Sequence, residues 1–568
     1  MSRIYGFLTS KDYFEYKIFF GIWLIFNLIQ AKFTTLHFDE GYYWIYSQKL
    51  DWGYFDHPPL VALLIKIGYF FFQNELGLRL FHVLLASITV ALILYLIREE
   101  RDRLFAIIFI LSFSIIYAHV GGFLALPDTP MIFFTALFLV LYKKFIESNY
   151  SLKFALLLSL VIPLMMYSKY HGILVILFIV ASNLQLMRKR NFWLIVLISG
   201  ILLLPHLFWQ VNHEFPTLKY QLIARNTSFN VKRIFEFLLE QVLVAGPFTS
   251  IIAFYLAFKY KPQDTFERGL KFTFVGVYMF FFVSCIKGRV EPHWTAIAII
   301  PFIYLAYKKL ADYSRLQGIY KTLSIVTIIV MMGLRIALMS DEIVKNNDTP
   351  FRYTPAYFSI MEKYAGDREI LFVSNYKAAS MYSFYQGRVH PSLAYPGYRI
   401  SFFDFVNFEE AFNGKDIAFF GPNHFYEKKV DFGKKAKFSV RFMDEFYSYR
   451  NISIRIATEN EFIVKPGDKL QLQFMLKNES DEDLVLGDNE KIKPGLGIRI
   501  RTDNAIVDLI RSLEELGVNE TWKAKEEKQV KIEIQIPVTK NRLDMDAFIE
   551  YAGFRGQVDQ SLVVNLKE

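Results

Sequence analysis

The chain has 568 residues, 53% of them hydrophobic, and a mean hydropathy of +0.26. That is too apolar for an ordinary soluble enzyme and puts a membrane protein first. A net charge of +9 would suit a nucleic-acid binder, and a single cysteine, Cys285, excludes an intramolecular disulfide or a Cys-based zinc cluster. The nucleic-acid reading fails on distribution: the Lys and Arg of the first 340 residues sit mainly in short loops between apolar runs, which is a topology signal.

Arg3, Lys11 and Lys17 precede the first apolar run, and no small-x-small cleavage site follows, so 18–36 reads as a retained helix. Further candidate spans lie at 80–97, 104–120, 130–146, 153–168, 171–187, 192–209, 236–258, 271–286, 294–307 and 321–339. The sequence therefore predicts a polytopic α-helical membrane protein with about eleven transmembrane helices. The basic loops at 98–103, 143–144, 188–190, 259–271 and 308–309 fall on one side. The positive-inside rule makes that side cytoplasmic, with the N-terminus. Segments 37–79, 210–235 and 287–293, and everything after 340, then face outside an inner (plasma) membrane. The two long outside loops would cap the bundle, and LVALLIKIGYFFF after Pro58-Pro59 suits an amphipathic interfacial helix.

After residue 340 the apolar runs shorten. EILFVSN (369–375) and KDIAFFGP (415–422) read as buried strands among helical stretches, a small α/β unit. From about 436 the pattern alternates with period two, in KFSVRF, NISIRI, KLQLQFML, GIRIRT, VKIEIQI and SLVVNL, with turns at KPGD (465–468) and KPGLG (493–497). A β-sandwich is the natural reading. The expected domains are 1–340 (membrane bundle), 341–435 (extracytoplasmic α/β) and 436–568 (β-sandwich-like).

The chemistry concentrates in His37–Pro59, HFDEGYYWIYSQKLDWGYFDHPP, where Asp39, Glu40, Asp51, Asp56 and His57 lie among eight aromatic rings at the mouth of the first helix. Asp39-Glu40 reads either as a helix N-cap with a solvated acid or as a general base beside a lipid-borne substrate. On a helix the two point about 100° apart, so at most one faces a site directly. Asp56-His57-Pro58-Pro59 is either a Pro-fixed turn or a His aimed at a phosphate. In KGRVEPHW (287–294), Lys287, Arg289 and His293 either snorkel to headgroups or neutralise a phosphate leaving group. Lys169 and His171 stand in a tight turn, YSKYHG (167–172). Asp128, between prolines in ALPDTP, reads first as an N-cap. Arg79 opens the second helix, as an interfacial anchor or as a partner for a carboxylate or phosphate. No P-loop, dinucleotide fingerprint or HExxH motif is present.

DEGYYWIYSQKLDWGYFDHPPL resembles the first outside loop of the family-39 and family-83 glycosyltransferases, membrane enzymes related to protein O-mannosyltransferases and lipid A aminoarabinose transferases. The resemblance continues through Arg79, PDTP, the SKY turn at 168–170 and VEPHW at 290–294, over roughly residues 15–310. It implies the GT-C fold, a sugar donor on a polyprenyl monophosphate, no nucleotide, and inverting transfer outside the cytoplasm. No other cofactor and no metal follow from it. By position it implies that Asp39 is the catalytic carboxylate and that Tyr43 and Tyr54 lie near the donor. His57 falls where aminoarabinose transferases carry a phosphate-binding lysine. A histidine is only partly charged at neutral pH, which shifts phosphate neutralisation toward Lys287 and Arg289 and favours the family-39 group, with mannose as the leading sugar. Glu40, Arg79, Asp128, Lys169 and His293 take supporting places. The acceptor, whether protein, lipid or glycan, stays open at this level. A transporter or flippase of a lipid-linked glycan is the alternative, but its charges would lie at mid-membrane, and here they collect at the outside rim.

Overall fold

The computed structural model describes residues 13–566 except 99–101, 221–229, 346–348, 395–398, 423–427, 432–436, 458–460, 466, 482, 487–492, 502–505, 519–520, 538–542 and 552–553. Arg3 and Lys11, residues 99–101 of the first basic loop, 221–229 of the second long loop, Pro466 and Thr502 thus lie outside the described residues. The chain forms two compact units, Met1–Thr354 and Pro355–Glu568.

Unit one is helical: α1 (Phe14–Phe33), α2 (Phe38–Gln48), α3 (Leu60–Phe71), α4 (Glu75–Ile97), α5 (Arg103–Leu111), α6 (Asp128–Glu147), α7 (Leu152–Ser168), α8 (Gly172–Ser182), α9 (Arg190–Asn212), α10 (Lys232–Ala245), α11 (Ser250–Lys259), α12 (Thr265–Lys287), α13 (Ile299–Leu310) and α14 (Ser314–Ala337). Among the described residues, six helices are long and apolar enough to cross a membrane: α1, α4, α6, α9, α12 and α14. A seventh span exists if α10 and α11 count as one, although they meet at 94°. The expected eleven is therefore an overcount.

The physical reasons differ from run to run. The 104–120 run stops being α-helical at Leu111 and continues as a 3-10 turn, Ser114–Tyr117. Leu152–Ser168 and Gly172–Ser182 are helices of 17 and 11 residues, short of the ~20 a bilayer requires. The 294–307 run is part 3-10 helix and part α13, and every residue from Ile299 to Tyr307 is buried, so its apolarity belongs to the protein core. The 236–258 run breaks at Gly246, whose φ of +127° suits glycine alone, followed by Pro247. Helix α3 buries Val61, Ala62, Ile65 and Gly68 and leaves Phe70 and Phe71 exposed.

In unit two, a five-stranded sheet has the spatial order Ser392–Leu393, Glu369–Val373, Lys415–Pro422, Lys437–Phe446, Lys428–Asp431, parallel among the first three strands and antiparallel after. A second five-stranded sheet and a three-stranded sheet (Glu527–Gln535, Lys469–Asn478, Ile452–Ile456) follow. Lys469–Asn478 alternates outward Lys and Gln with inward Leu470, Leu472, Phe474 and Leu476. These join Leu496, Ile498, Met545 and Ile549 in one apolar core, as period-two patterning requires.

Candidate active site

The loop from α1 to α3 is built around a buried ion pair. His37 caps α2: its backbone N–H donates to Glu40 Oε2 (2.8 Å), and its Nδ1 accepts from the Asp39 amide (3.2 Å). That is a capping box with His at the cap, so the capping role weighed for Asp39 belongs to His37. Glu40 turns inward and is fully buried. Arg79 Nε and a terminal nitrogen grip its two oxygens at 2.7 and 2.5 Å, and the Ala125 amide adds a bond of 2.8 Å. The remaining Arg79 donors reach the carbonyls of Ala31 (3.0 Å), Thr34 (2.6 Å) and Thr35 (3.1 Å). Burial alone would raise Glu40; the Arg79 guanidinium outweighs it and holds the carboxyl below its ordinary value. All five guanidinium donors are used, so the pair ties α1, α2, α4 and the 121–127 segment together.

Asp39, one residue earlier, points the other way. Its side chain is 34% exposed, with the carboxylate 3.6 Å from His37 Nδ1. Downstream, the loop folds on its own rings. Tyr46 stacks on Tyr54 (4.2 Å between centroids, 7° apart) and donates to Asp56 (2.6 Å). Tyr54 is fully buried and its hydroxyl donates to backbone carbonyls, which makes it a brace for the loop. Tyr43 meets His57 edge to face at 5.4 Å. The loop is clamped from α9 as well. His206 Nδ1 donates to the Trp52 carbonyl (2.6 Å), leaving Nε2 to accept from Tyr170 (2.8 Å). Gly53 lies flat under Trp209, where a Cβ would overlap the indole.

A second buried ion pair stands beside this loop. Lys169 donates to both oxygens of Asp128, at 2.8 and 2.9 Å. Asp128 is the first residue of α6 and makes no capping bond, so it is a counter-ion and not the expected N-cap. His293 Nε2 lies 3.8 Å from Asp128 Oδ2, and its ring stacks on His119 at 4.8 Å. His57 sits in the combined field of Asp56, Lys169, Asp128 and Asp39. Burial lowers His57 below the ordinary imidazole value and His293 well below it, against the opposing pull of Asp56 and Asp128 respectively. Both imidazoles are therefore neutral near pH 7.

Asp39, His57, Asp128, Lys169 and His293 thus form one cluster with Tyr43 at its edge. Glu40 and Arg79 stand behind it. Lys287 and Arg289 are both exposed, and Arg289 lies 3.9 Å from Glu240 and 3.7 Å from Glu291. His119 was missed in the sequence, where a lone His in an apolar run carries no signal, and His37 was passed over beside Asp39-Glu40. Among the described residues, no three His, Cys, Asp or Glu side chains are grouped as a metal site would need. A cavity of about 550 Å³ opens beside the loop, lined by Leu50, Trp52, Pro59, Leu63, Leu164 and Tyr167; Tyr167 is two residues from Lys169.

The bundle and this loop have counterparts among known membrane proteins. The model of the dolichyl-phosphate-mannose-protein mannosyltransferase family matches residues 56–209. Two crystal structures of ArnT from Cupriavidus metallidurans share the fold: the apo state (TM-score 0.53, 12% identity, 76% of this chain and 98% of that one) and the form bound to undecaprenyl phosphate (0.53, 14%, 75% and 98%). The lipid A galacturonosyltransferase RgtD of Rhizobium johnstonii (strain DSM 114642 / LMG 32736 / 3841) is 24% identical over 307 residues, 50% of this chain and 63% of RgtD. An uncharacterised protein of Aquifex aeolicus (strain VF5) is 25% identical over 299 residues, 50% and 58%. The chain spans about three-fifths of the length of these curated relatives. Residues 56–209 thus match that family's model, and the fold is that of the ArnT structures.

Proposed function

We propose that this protein transfers a sugar from a polyprenyl-phosphate donor to a hydroxyl acceptor on the extracytoplasmic side of the membrane, with inversion. The observation that carries the reading is the convergence of Asp39, His57, Asp128 and Lys169, drawn from three separate segments, on one cluster. The basic loops favour an inner-membrane protein with this cluster outside. Mannose is the first sugar to test, because the matched family model is named for it.

In this reaction the acceptor oxygen attacks C1 while the C1–O bond to phosphate breaks through an oxocarbenium-like state. The bonding pair leaves with the polyprenyl phosphate, and the acceptor proton goes to the Asp39 carboxylate. Asp39 suits this role because it alone of the loop's first two acids is accessible. Lys169 would meet the phosphate: two of its three N–H groups hold Asp128, and the third has no partner among the described residues. His57 donates a further hydrogen bond. Lys287 and Arg289 are too exposed to serve first in this role. The cavity beside Trp52 and Pro59 takes the start of the prenyl chain.

The Asp39→Asn variant should fold and insert normally yet lose transfer by about a thousandfold, within the range for removing a general base. Near-normal turnover of purified Asp39→Asn would sink the assignment.

A further inference from the structure

The helix that carries Asp39 is capped from the far end of unit one. The first four amides of a helix have no partner within it. Three of those in α2 are served at its own cap: His37 N–H by Glu40 Oε2, Asp39 N–H by His37 Nδ1, and Glu40 N–H by the His37 carbonyl (2.9 Å). The fourth, Phe38 N–H, donates to the Pro350 carbonyl (3.1 Å). That carbonyl belongs to a short strap, residues 349–354, which follows α14 and ends unit one. Thr349-Pro350-Phe351-Arg352 is a β-turn: Arg352 N–H donates to the Thr349 carbonyl (3.3 Å), and proline suits the second position. The turn closes on Thr349, which leaves the next carbonyl, that of Pro350, for α2.

The strap also holds the cap itself. Phe351, Tyr353 and Thr354 are buried. Phe351 meets the His37 ring edge to face at 5.3 Å, and Phe38 packs on that ring at 4.6 Å. An imidazole nitrogen accepts an amide hydrogen along its lone pair, in the ring plane. The two phenyl rings fix that plane and so keep Nδ1 on the Asp39 amide. The same nitrogen lies 3.6 Å from the Asp39 carboxylate. Arg79 secures the first turn of α2 through Glu40; the strap secures it through Phe38 and His37.

We propose that Phe351 is a positioning residue for the transfer reaction: with the Pro350 carbonyl it sets the first turn of α2, and through His37 it sets the direction of the Asp39 carboxylate. The inference rests on the reaction proposed above. A displacement of about 1 Å at a reacting group can cost about a hundredfold in rate. The groups assigned to the phosphate, Lys169 and His57, lie on other segments, so the strap acts on kcat and not on donor affinity.

The test uses the full chain in nanodiscs with radiolabelled polyprenyl-phosphate mannose, and membranes of cells lacking the protein as acceptor. Slow release of free sugar, in which water replaces the acceptor, gives a second rate. Phe351→Ala should lower both rates by about tenfold to a hundredfold at unchanged donor KM. Phe351→Tyr, which keeps a ring edge for His37, should restore most of the loss. Hydrogen exchange over residues 38–41 should quicken in Phe351→Ala and not in Phe351→Tyr. Combined with Asp39→Asn, Phe351→Ala should cost nothing further, because its effect passes through that carboxylate; a merely structural loss would add. Should Phe351→Ala fail to accumulate, Phe38→Pro tests the same link. Proline suits the first helical position yet has no N–H for Pro350, and kcat should fall likewise. A wild-type kcat, a loss confined to donor KM, or additive losses in the double variant would each overturn the proposal. Near-normal turnover in Asp39→Asn removes the parent reaction instead, as does a wild-type protein that neither releases nor transfers sugar.

Discussion

The two buried ion pairs of unit one share a chemistry and differ in saturation. In Glu40–Arg79 every guanidinium donor is bonded, and the carboxylate takes two further amides, from His37 and Ala125. In Asp128–Lys169 one ammonium spends two donors on one carboxylate, a neutral imidazole waits 3.8 Å away, and the third N–H is unassigned among the described residues. A saturated pair can only hold the chain in place. An unsaturated one, beside an accessible carboxylate, can receive an anion. Burial alone does not separate a scaffold charge from a working one; the count of unspent hydrogen bonds does.

The comparison is broken most directly at Arg79. Arg79→Met leaves the Glu40 carboxylate buried with only two amides, which should cost about 3–5 kcal/mol of stability and show as loss of folded protein in detergent extracts. A folded Arg79→Met protein with reduced activity alone would mean that the saturated pair also belongs to the chemistry. Lys169→Met should do the reverse. His293 can take a proton beside Asp128, so the protein persists while transfer falls by about a hundredfold to a thousandfold, the usual loss for one anion-stabilising donor. Sugar release to water should fall in parallel, because the phosphate leaves in both reactions.

The C-terminal unit carries a buried titratable group of its own. His390 is buried, with Nδ1 donating to the Ile370 carbonyl at 2.8 Å, and burial lowers it from 6.5 to about 4. The unfolded chain therefore binds this proton at higher pH than the folded one. The contribution is fully present above pH 6.5 and is lost as pH falls toward 4, approaching about 3 kcal/mol. Pulse proteolysis of the full chain between pH 7 and 4 should show the C-terminal unit weakening. His390→Asn keeps a donor for Ile370 and should flatten that profile.

What the sequence made legible follows from how local each signal is. The first loop was readable because its acids, rings and prolines are contiguous, and the turn with Lys169 and the start of α6 with Asp128 stood out as polar islands. Their pairing was not readable: it joins residues 41 positions apart. Saturation was equally hidden, because nothing in DEGYY says that Glu40 turns to Arg79 and Asp39 away. The helix count failed for a related reason. An apolar run records distance from water, and α13 reaches that state inside protein as readily as a span does inside lipid. KGRVEPHW stood out because its polar residues broke the loop pattern; in the structure His293 lies 3.8 Å from Asp128, while Lys287 and Arg289 are exposed.

His57 makes the smallest and most discriminating test, since it stands between the two pairs in kind. It is neutral in the unliganded cluster, lowered by burial, yet a bound phosphate would favour its charged form. Donor binding should then take up a proton, so donor affinity in the wild type should fall as pH rises from 6 to 8. A lysine at this position stays charged throughout that range. His57→Lys should retain part of the wild-type affinity, exceed His57→Ala by about tenfold, or ~1.4 kcal/mol, and lose the pH dependence. If His57→Lys binds donor no better than His57→Ala, the imidazole is a ring packed on Tyr43 and not a phosphate ligand. Asp128–Lys169 would then bear the phosphate without help, and the loss in Lys169→Met would have to rise accordingly.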